Sequence, residues 1–480
     1  MTYSLSHMVI RRSGRVTERR GAVAIPLVTL LVVVALAFGA YRLGQLNRFI
    51  CDGPCGAVYV EPPDALGLTV GQNAAAPTPT DAGPADPAKV RAAVSSALTS
   101  SLLGSHVGFV ALDPETGATL SSMGSGGFTP ASTAKILTAY AALASMDAGT
   151  RFATRVVWSN RKTIVLVGGG DPFLGSEKPK PALYAQRANL ADLAIGTATA
   201  LKKSGTKAVS LGFDDSLFTG PDVSANWESS YVSGNIVTPV SALWADEGVG
   251  SNGVRARDPG QSAAATFATL LRKQGIGVEA TVARVIAPAG ATEISGVSSA
   301  PLGQVLESMT QRSDNEAAEV MLRHIAIARG KPGTFTDGVA AVGELLSAGG
   351  IDTAGLVLYD GSGLSRDNRI SPLTLAQTIR VASKSPRTAS LVSELPVGGF
   401  NGSIFDRFQG AAAQAGRGVV HAKSGTLTGV HSMAGFVRAA GGGAIVFAIM
   451  ADRTGTAPPL AVEGALDNVA AALAACRCRS

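Results

Sequence analysis

The sequence predicts an α+β protein in which an antiparallel sheet, assembled from both ends of the folded region, is flanked by terminal helices. Three observations point there. Early in the chain VGFVALD, a Pro-Glu-Thr-Gly turn and ATLSS give a hairpin signal. Late in the chain SMAGFVRAA and AIVFAIMA pair around Gly441-Gly442-Gly443, and a helical pattern, LAVEGALDNVAAALAA, follows. Between them TIVLVGGGDPF, KAVSLGFDDSLF and VEATVARVIA carry strand and turn signals of their own, so residues 156–295 read as an inserted domain.

The elements run as follows. Arg11, Arg12, Arg15, Arg19 and Arg20 outweigh Glu18, which places most of the net charge of +6 in the first 20 residues. A nucleic-acid binder would carry that excess on its folded body, so this class is excluded. The apolar run Gly21 to Ala40 has no charged residue and is 20 residues long, enough to cross a bilayer. The arginines before it predict a cytoplasmic tail (1–20), a transmembrane anchor (21–41) and an external body. A secreted protein released by cleavage near Ala35-Leu36-Ala37 is the alternative. Pro, Ala and Gly then dominate a stalk (42–87), including AAAPTPTDAGPADP. A helix is expected from Ala88 to Ser100, and a second, ASTAKILTAYAALASM, opened by Pro130. Cys51, Cys55, Cys476 and Cys478 sit at the two ends of the exported part. Their even number suits an oxidising compartment, with disulfides that join the ends or, alternatively, a metal site lacking histidine.

Three short motifs carry chemistry. In Ser132-Thr133-Ala134-Lys135 the i, i+3 spacing lays an amine over a hydroxyl. A serine needs such a base to become a nucleophile, and a lysine serves if burial lowers its proton affinity. Two other Ser-x-x-Lys sequences, Ser159/Lys162 and Ser204/Lys207, read as solvated turns. Ser313-Asp314-Asn315 precedes the helix EAAEVMLRHIAIA; it reads as a helix cap or as a hydroxyl and an amide aimed into a cleft. Lys423-Ser424-Gly425-Thr426 lies on a strand, where Gly425 allows close backbone approach and the hydroxyls of Ser424 and Thr426 suit a terminal carboxylate. His7, His106, His324, His421 and His431 form no metal spacing, and the motifs call for neither a metal nor a cofactor.

In this order the motifs match the S-x-x-K, S-D-N and K-T-G set of penicillin-binding proteins and serine β-lactamases, with Ser424 where Thr is usual. The separation of Ser132 from Ser313 is 181 residues, wider than a compact β-lactamase needs. Together with LVGGGDPFL, DDSLF, SGNIVTPVSALWAD, DGSGLSRDNRIS and LPVGGFNGSI, the chain resembles the low-molecular-mass class C penicillin-binding proteins, the D-alanyl-D-alanine carboxypeptidase/endopeptidases. The resemblance spans roughly residues 87 to 470. It implies a penicillin-binding core of sheet, flanking helices and helical subdomain (88–155 and 296–475), the insert (156–295) and a cysteine-bearing tail (476–480). It implies peptidoglycan stem peptides as substrate and β-lactams as covalent inhibitors. It also implies roles: Ser132 acylated, Lys135 its base, Ser313 a proton relay supported by Lys423, and Asn315 holding a substrate amide. The N–H groups of Ser132 and Thr426 would form the oxyanion hole. Asp214 and Arg366 would hold a diamino-acid side chain, although Asp360 and Arg366 read equally well as a structural turn. A β-lactamase or esterase on the same fold, or a silent wall-binding protein, are the rival functions.

Overall fold

The computed structural model describes residues 84–178, 185–279 and 281–479. The basic tail, the anchor, Cys51, Cys55 and nearly all of the stalk lie outside the described residues. Among the described residues no helix is long and apolar enough to cross a membrane.

Strands near the two ends of the described chain build one five-stranded antiparallel sheet. β1 (Val107–Leu112) and β2 (Thr119–Met123) form the early hairpin. The strands of the second sheet, β3 to β8, come between. β9 (Val420–Leu427), β10 (Val430–Arg438) and β11 (Ala444–Ala451) complete the first sheet in the order β2-β1-β11-β10-β9. Side chains alternate across a strand. Val446, Ala448 and Met450 of β11 therefore enter one core while Phe447 and Ile449 enter another. Burial on both faces explains why β11 is a continuous apolar run, AIVFAIMA, with no polar residue between.

One face is covered by helices from the two ends, α1 (Pro87–Leu98) and, at the end of the chain, Pro459–Ala475. Helix α1 starts where Asp86 accepts a hydrogen bond from the Ala88 N–H and Pro87 supplies a preset φ. The amide of Asp86 also bonds the Cys478 carbonyl, so backbone joins the two ends of the described residues here. Cys476 is bonded to Cys478, its neighbour but one, and not to the other end. The opposite face packs on α2 (Lys135–Ser145), then, after the second sheet, on the helices that follow Ser298.

The second sheet has β3 (Ala153–Trp158), β4 (Thr163–Val167), β5 (Ala208–Asp214), two short strands β6 (Gly277–Val278) and β7 (Ala283–Arg284), and β8 (Glu293–Ser298). Its order is β6-β5-β4-β3-β8 with β7 also against β5. β4 and β5 are parallel, so they need a crossover, supplied by α3 (Leu190–Lys203). Helix α4 (Pro259–Lys273) packs beside α3, and together they close a third apolar core around Phe213 and Phe267.

After β8 come α5 (Leu302–Arg312), α6 (Asn315–Ala328), α7 (Phe335–Ala348) and α8 (Pro372–Lys384), before the closing helix α9 (Pro459–Ala475). Helix α6 is the central one: every described side chain from Glu316 to Ala326 is buried. Such an environment stabilises each apolar side chain by roughly 1.5–3 kcal/mol but penalises Glu316, Glu319 and Arg323 unless they find partners.

Candidate active site

Ser132 does not begin on an α-helix. Residues Ala131–Ala134 form a 3-10 turn, and the α-helix starts at Lys135. In a 3-10 turn residues i and i+3 eclipse, so Lys135 sits more squarely over Ser132 than an α-helical face would allow. The turn is held from several sides. The hydroxyls of Thr133 and Ser432 both donate to the Pro130 carbonyl, at 2.7 and 2.6 Å. Ala131 lies at φ 47°, a left-handed conformation costly for a residue with a Cβ. Its carbonyl fits against Gly363, where any Cβ would lie 1.8 Å from it.

Lys135 is completely buried. Its Nζ lies 2.9 Å from Ser132 Oγ, 2.8 Å from Asn315 Oδ1 and 2.8 Å from the Ser362 carbonyl. Burial pulls its pKa down to about 8, against the opposing charges of Glu319, Asp314, Asp360 and Glu316. The last two acceptors can only accept. A neutral amine has two N–H bonds and a lone pair, so bonding both acceptors leaves the lone pair for the Ser132 hydroxyl.

The second motif divides its work. Asp314 is the helix cap, accepting from the Ala317 N–H at 2.9 Å. Asn315 faces Lys135, and Ser313 faces Lys423, so the cap and the cleft readings hold for different residues. Ser313 ends α5 at φ 57°, ψ 39°, which aims Oγ at Lys423 Nζ, 2.8 Å away. Lys423 is buried and held well below the ordinary lysine range by burial and by the charge of Lys135. Its Nζ also bonds the Ser424 carbonyl at 2.7 Å.

The third motif lies on β9, an edge strand of the five-stranded sheet. Gly425 permits close approach, and the approaching backbone is the protein's own. A Cβ there would stand 2.7 Å from the Pro130 carbonyl and 2.8 Å from the Ser132 amide nitrogen. The Ser424 hydroxyl lies 3.4 Å from Ser403, and the exposed Thr426 hydroxyl 3.3 Å from Glu463.

Two further expected residues bond within the protein. Asp214 ends β5 with its carboxylate accepting from the amides of Ser216 and Ala287, at 2.9 and 2.7 Å. It latches a turn, and among the described residues no hydrogen bond or ion pair joins it to the serine–lysine cluster. Arg366 is exposed enough to reach solvent; it bonds Glu228 at 2.7 Å and the Thr428 carbonyl, just past β9, at 3.0 Å. Asp360 is the structural turn: it accepts from Trp227, Gly363, Ser365 and Asn368. Beside the second motif Glu247, Asp314 and Glu316 bring carboxylate oxygens within 4.8 Å of one another, and Arg187, Arg255 and Arg312 face them.

The sequence reading missed the Ser362 carbonyl, Ser432 and Glu319. Glu319 had a visible signal. It stands one turn after Asn315 as an acid among the apolar residues of a buried helix, and such a residue faces a specific partner.

The family model of the D-Ala-D-Ala carboxypeptidase 3 (S13) family matches residues 90–260 and 249–473. The chain belongs to this family. A carboxypeptidase of Mycobacterium tuberculosis is 35% identical over 361 residues, 73% of this chain and 76% of the relative. Carboxypeptidase DacB of Mycolicibacterium smegmatis is 32% identical over 474 residues, 96% and 98% of the two chains. In fold, this S13 chain is similar to penicillin binding protein 4 (dacB) from Haemophilus influenzae, with a TM-score of 0.65 at 23% identity over 79% of this chain and 97% of that one.

Proposed function

We propose that this S13 chain is a serine D-alanyl-D-alanine carboxypeptidase that trims peptidoglycan stem peptides through an acyl-enzyme on Ser132. Endopeptidase cleavage of cross-links follows from the same chemistry. The observation that carries this is the contact set of Lys135: one hydroxyl at 2.9 Å and two obligate acceptors at 2.8 Å, all in a buried site. The Ser132 oxygen attacks the carbonyl carbon of the penultimate residue while its proton passes to the Lys135 lone pair. The amides of Ser132 and Thr426 receive the oxyanion. When the C–N bond breaks, the departing D-alanine nitrogen takes a proton through the Ser313 hydroxyl, which Lys423 holds in place. Water then releases the peptide from the ester. Ser424 and Thr426 supply hydroxyls for the terminal carboxylate, and Asn315, besides bonding Lys135, holds a substrate amide. A β-lactam enters the same path as a carbonyl acceptor and stays as the ester.

The test is mass spectrometry of the intact chain with a penicillin, a pentapeptide and a cross-linked muropeptide. The adduct is expected on the peptide containing Ser132, and Ser132→Ala is expected to abolish it while the fold survives. An adduct on any other peptide sinks the assignment.

We also propose that residues 156–295 form a lobe that shapes substrate choice, because Glu228 meets Arg366 at the end of β9. Glu228→Ala should slow cleavage of a diamino-acid peptide more than penicillin acylation; equal losses count against it. The arginine-rich start and the apolar run support a single-pass protein with its catalytic part outside the cell membrane. Protease added to wall-stripped cells should digest the body, and a protected body overturns that topology.

A further inference from the structure

The mechanism above leaves one buried acid unused. Glu319 is fully buried on α6, one helical turn beyond Asn315 and so on the same face. Its two oxygens accept from the amides of Gly361 and Ser362, at 3.0 and 2.8 Å. The carbonyl of that same Ser362 takes a hydrogen bond from Lys135 Nζ. Thr138, one turn after Lys135, donates to the Gly361 carbonyl at 2.7 Å, so the segment is clamped between α2 and α6. Helix α6 thus reaches Lys135 twice: directly through Asn315 and indirectly through Glu319.

We propose that Glu319 is a positioning residue for acylation that acts through Lys135: it fixes the Ser362 carbonyl on Nζ, and its negative charge sets how readily Nζ releases its proton. This rests on Lys135 being the base of the proposed reaction.

The other charges around Lys135 are engaged elsewhere. Asp314 caps α6 and meets Arg312, and Glu316 pairs with Arg255. Asp360 accepts from four donors around its own loop. Lys423, from β9, is the nearby cation. Glu319 has no salt-bridge partner among the described residues, and the charges facing it are Lys135, Asp360 and Arg323. Burial and the charge of Asp360 push Glu319 up, to about 8, while the amide donors oppose this. The two N–H donors stabilise the charged form of the carboxyl, and the carboxylate is the form present at the high-pH end of the rise. Arg323, another turn along α6, keeps a buried positive charge on the far side and donates to the carbonyls of Thr219, Pro221 and Gly333. Its charge balances Glu319 when Lys135 is neutral, so the pair tolerates a neutral base.

The experiment is the pH profile of penicillin acylation by the full chain. In the wild type the rate should rise with pH as Lys135 loses its proton. Glu319→Gln removes the charge and keeps the shape, so its rise should move to lower pH by roughly one unit. Arg323→Gln removes the cation that balances Glu319, and its rise should move to higher pH. Each variant decides by itself, should the other fail to fold. A purely structural role would lower the plateau and leave the midpoint in place, and that result overturns the proposal. Lys135→Ala separates the two levels. If the rise persists in that variant, Lys135 is not the titrating base and the proposed reaction fails. If the rise or all acylation is lost there, yet the midpoint is unmoved in Glu319→Gln, only the role of Glu319 fails.

Discussion

Ser-x-x-Lys occurs both beside the five-stranded sheet and beside the six-stranded sheet, and only one copy meets an environment that makes it reactive. Ser159 and Lys162 lie in the exposed β3–β4 turn, where the Asn160 side chain accepts from the amides of Lys162 and Thr163. Ser204 caps the C-terminal end of α3, donating to the Leu201 carbonyl, and Lys207 is exposed. Neither pair is in contact, and water solvates both ammonium groups. At Ser132 the spacing is the same, yet Lys135 is buried and meets Asn315 and Ser362, which lie 180 and 227 positions away. Spacing brings a serine and a lysine within reach; desolvation and fixed acceptors turn the lysine into a base.

The largest expected effect tests this contrast directly. Lys135→Ala should slow acylation by a penicillin by about 10²–10⁴-fold, the range for a positioned base. Lys162→Ala and Lys207→Ala should leave the rate unchanged and stability within about 0.5 kcal/mol, as surface changes do. A comparable loss in either surface variant would erase the distinction.

Next in size is Gly425→Ala. The added methyl meets backbone at 2.7 and 2.8 Å, so β9 or the Ser132 turn must shift. Displacement of about an ångström at a reacting group costs on the order of 10² in rate. Acylation kinetics and circular dichroism together check it; a normal rate would show that the strand and the turn can part freely.

Ser313→Gly separates strain from chemistry at one residue. Serine at φ 57° is strained by about 1–2 kcal/mol, which glycine escapes at the expense of a floppier unfolded chain. Thermal stability should therefore change by no more than about 1 kcal/mol. Turnover should fall roughly 10²-fold or more through loss of the hydroxyl beside Lys423. Full activity in the glycine variant would remove Ser313 from the proton path.

The smallest effect concerns the contact between the two sheets' surroundings. His324 of α6 is buried, stacks on Phe152 at 4.0 Å and donates from Nε2 to the Gly170 carbonyl at 2.9 Å. Burial pulls its pKa down to about 4. Unfolded, it would titrate near 6.5, so between about pH 6.5 and 4 the unfolded chain binds more protons. Stability from the neutral ring is present above that window and is lost as pH falls through it, by up to roughly 3 kcal/mol. Denaturant midpoints of the wild type and His324→Gln across this range should converge as pH falls; parallel curves would rule the histidine out.

Elements with strong local pattern were legible in the chain. The early hairpin, the late hairpin and the closing helix lie where alternation and helical spacing put them, and the three motifs are contiguous stretches. The 3-10 turn at Ser132 was not legible, because it is imposed by Gly363, Ser432 and the Pro130 carbonyl. Asp214 read as a binding group, and its amide donors became visible only in the fold, since an acid in a turn reads the same whether it caps backbone or meets substrate.

By itself the sequence determined which chemical groups this protein owns: a serine with a lysine three residues on, a capped helix opening with asparagine, and a strand with a lysine and a glycine. Those features are local, set by neighbouring residues and by the periodicities of helix and strand. The tertiary structure decided which serine–lysine pair is dry, which carbonyls receive the Lys135 amine, and that Glu319 and Arg323 stand behind it. These are contacts between distant segments, and the dielectric environment they create depends on everything packed around the site. That environment exists only once the chain has closed on itself.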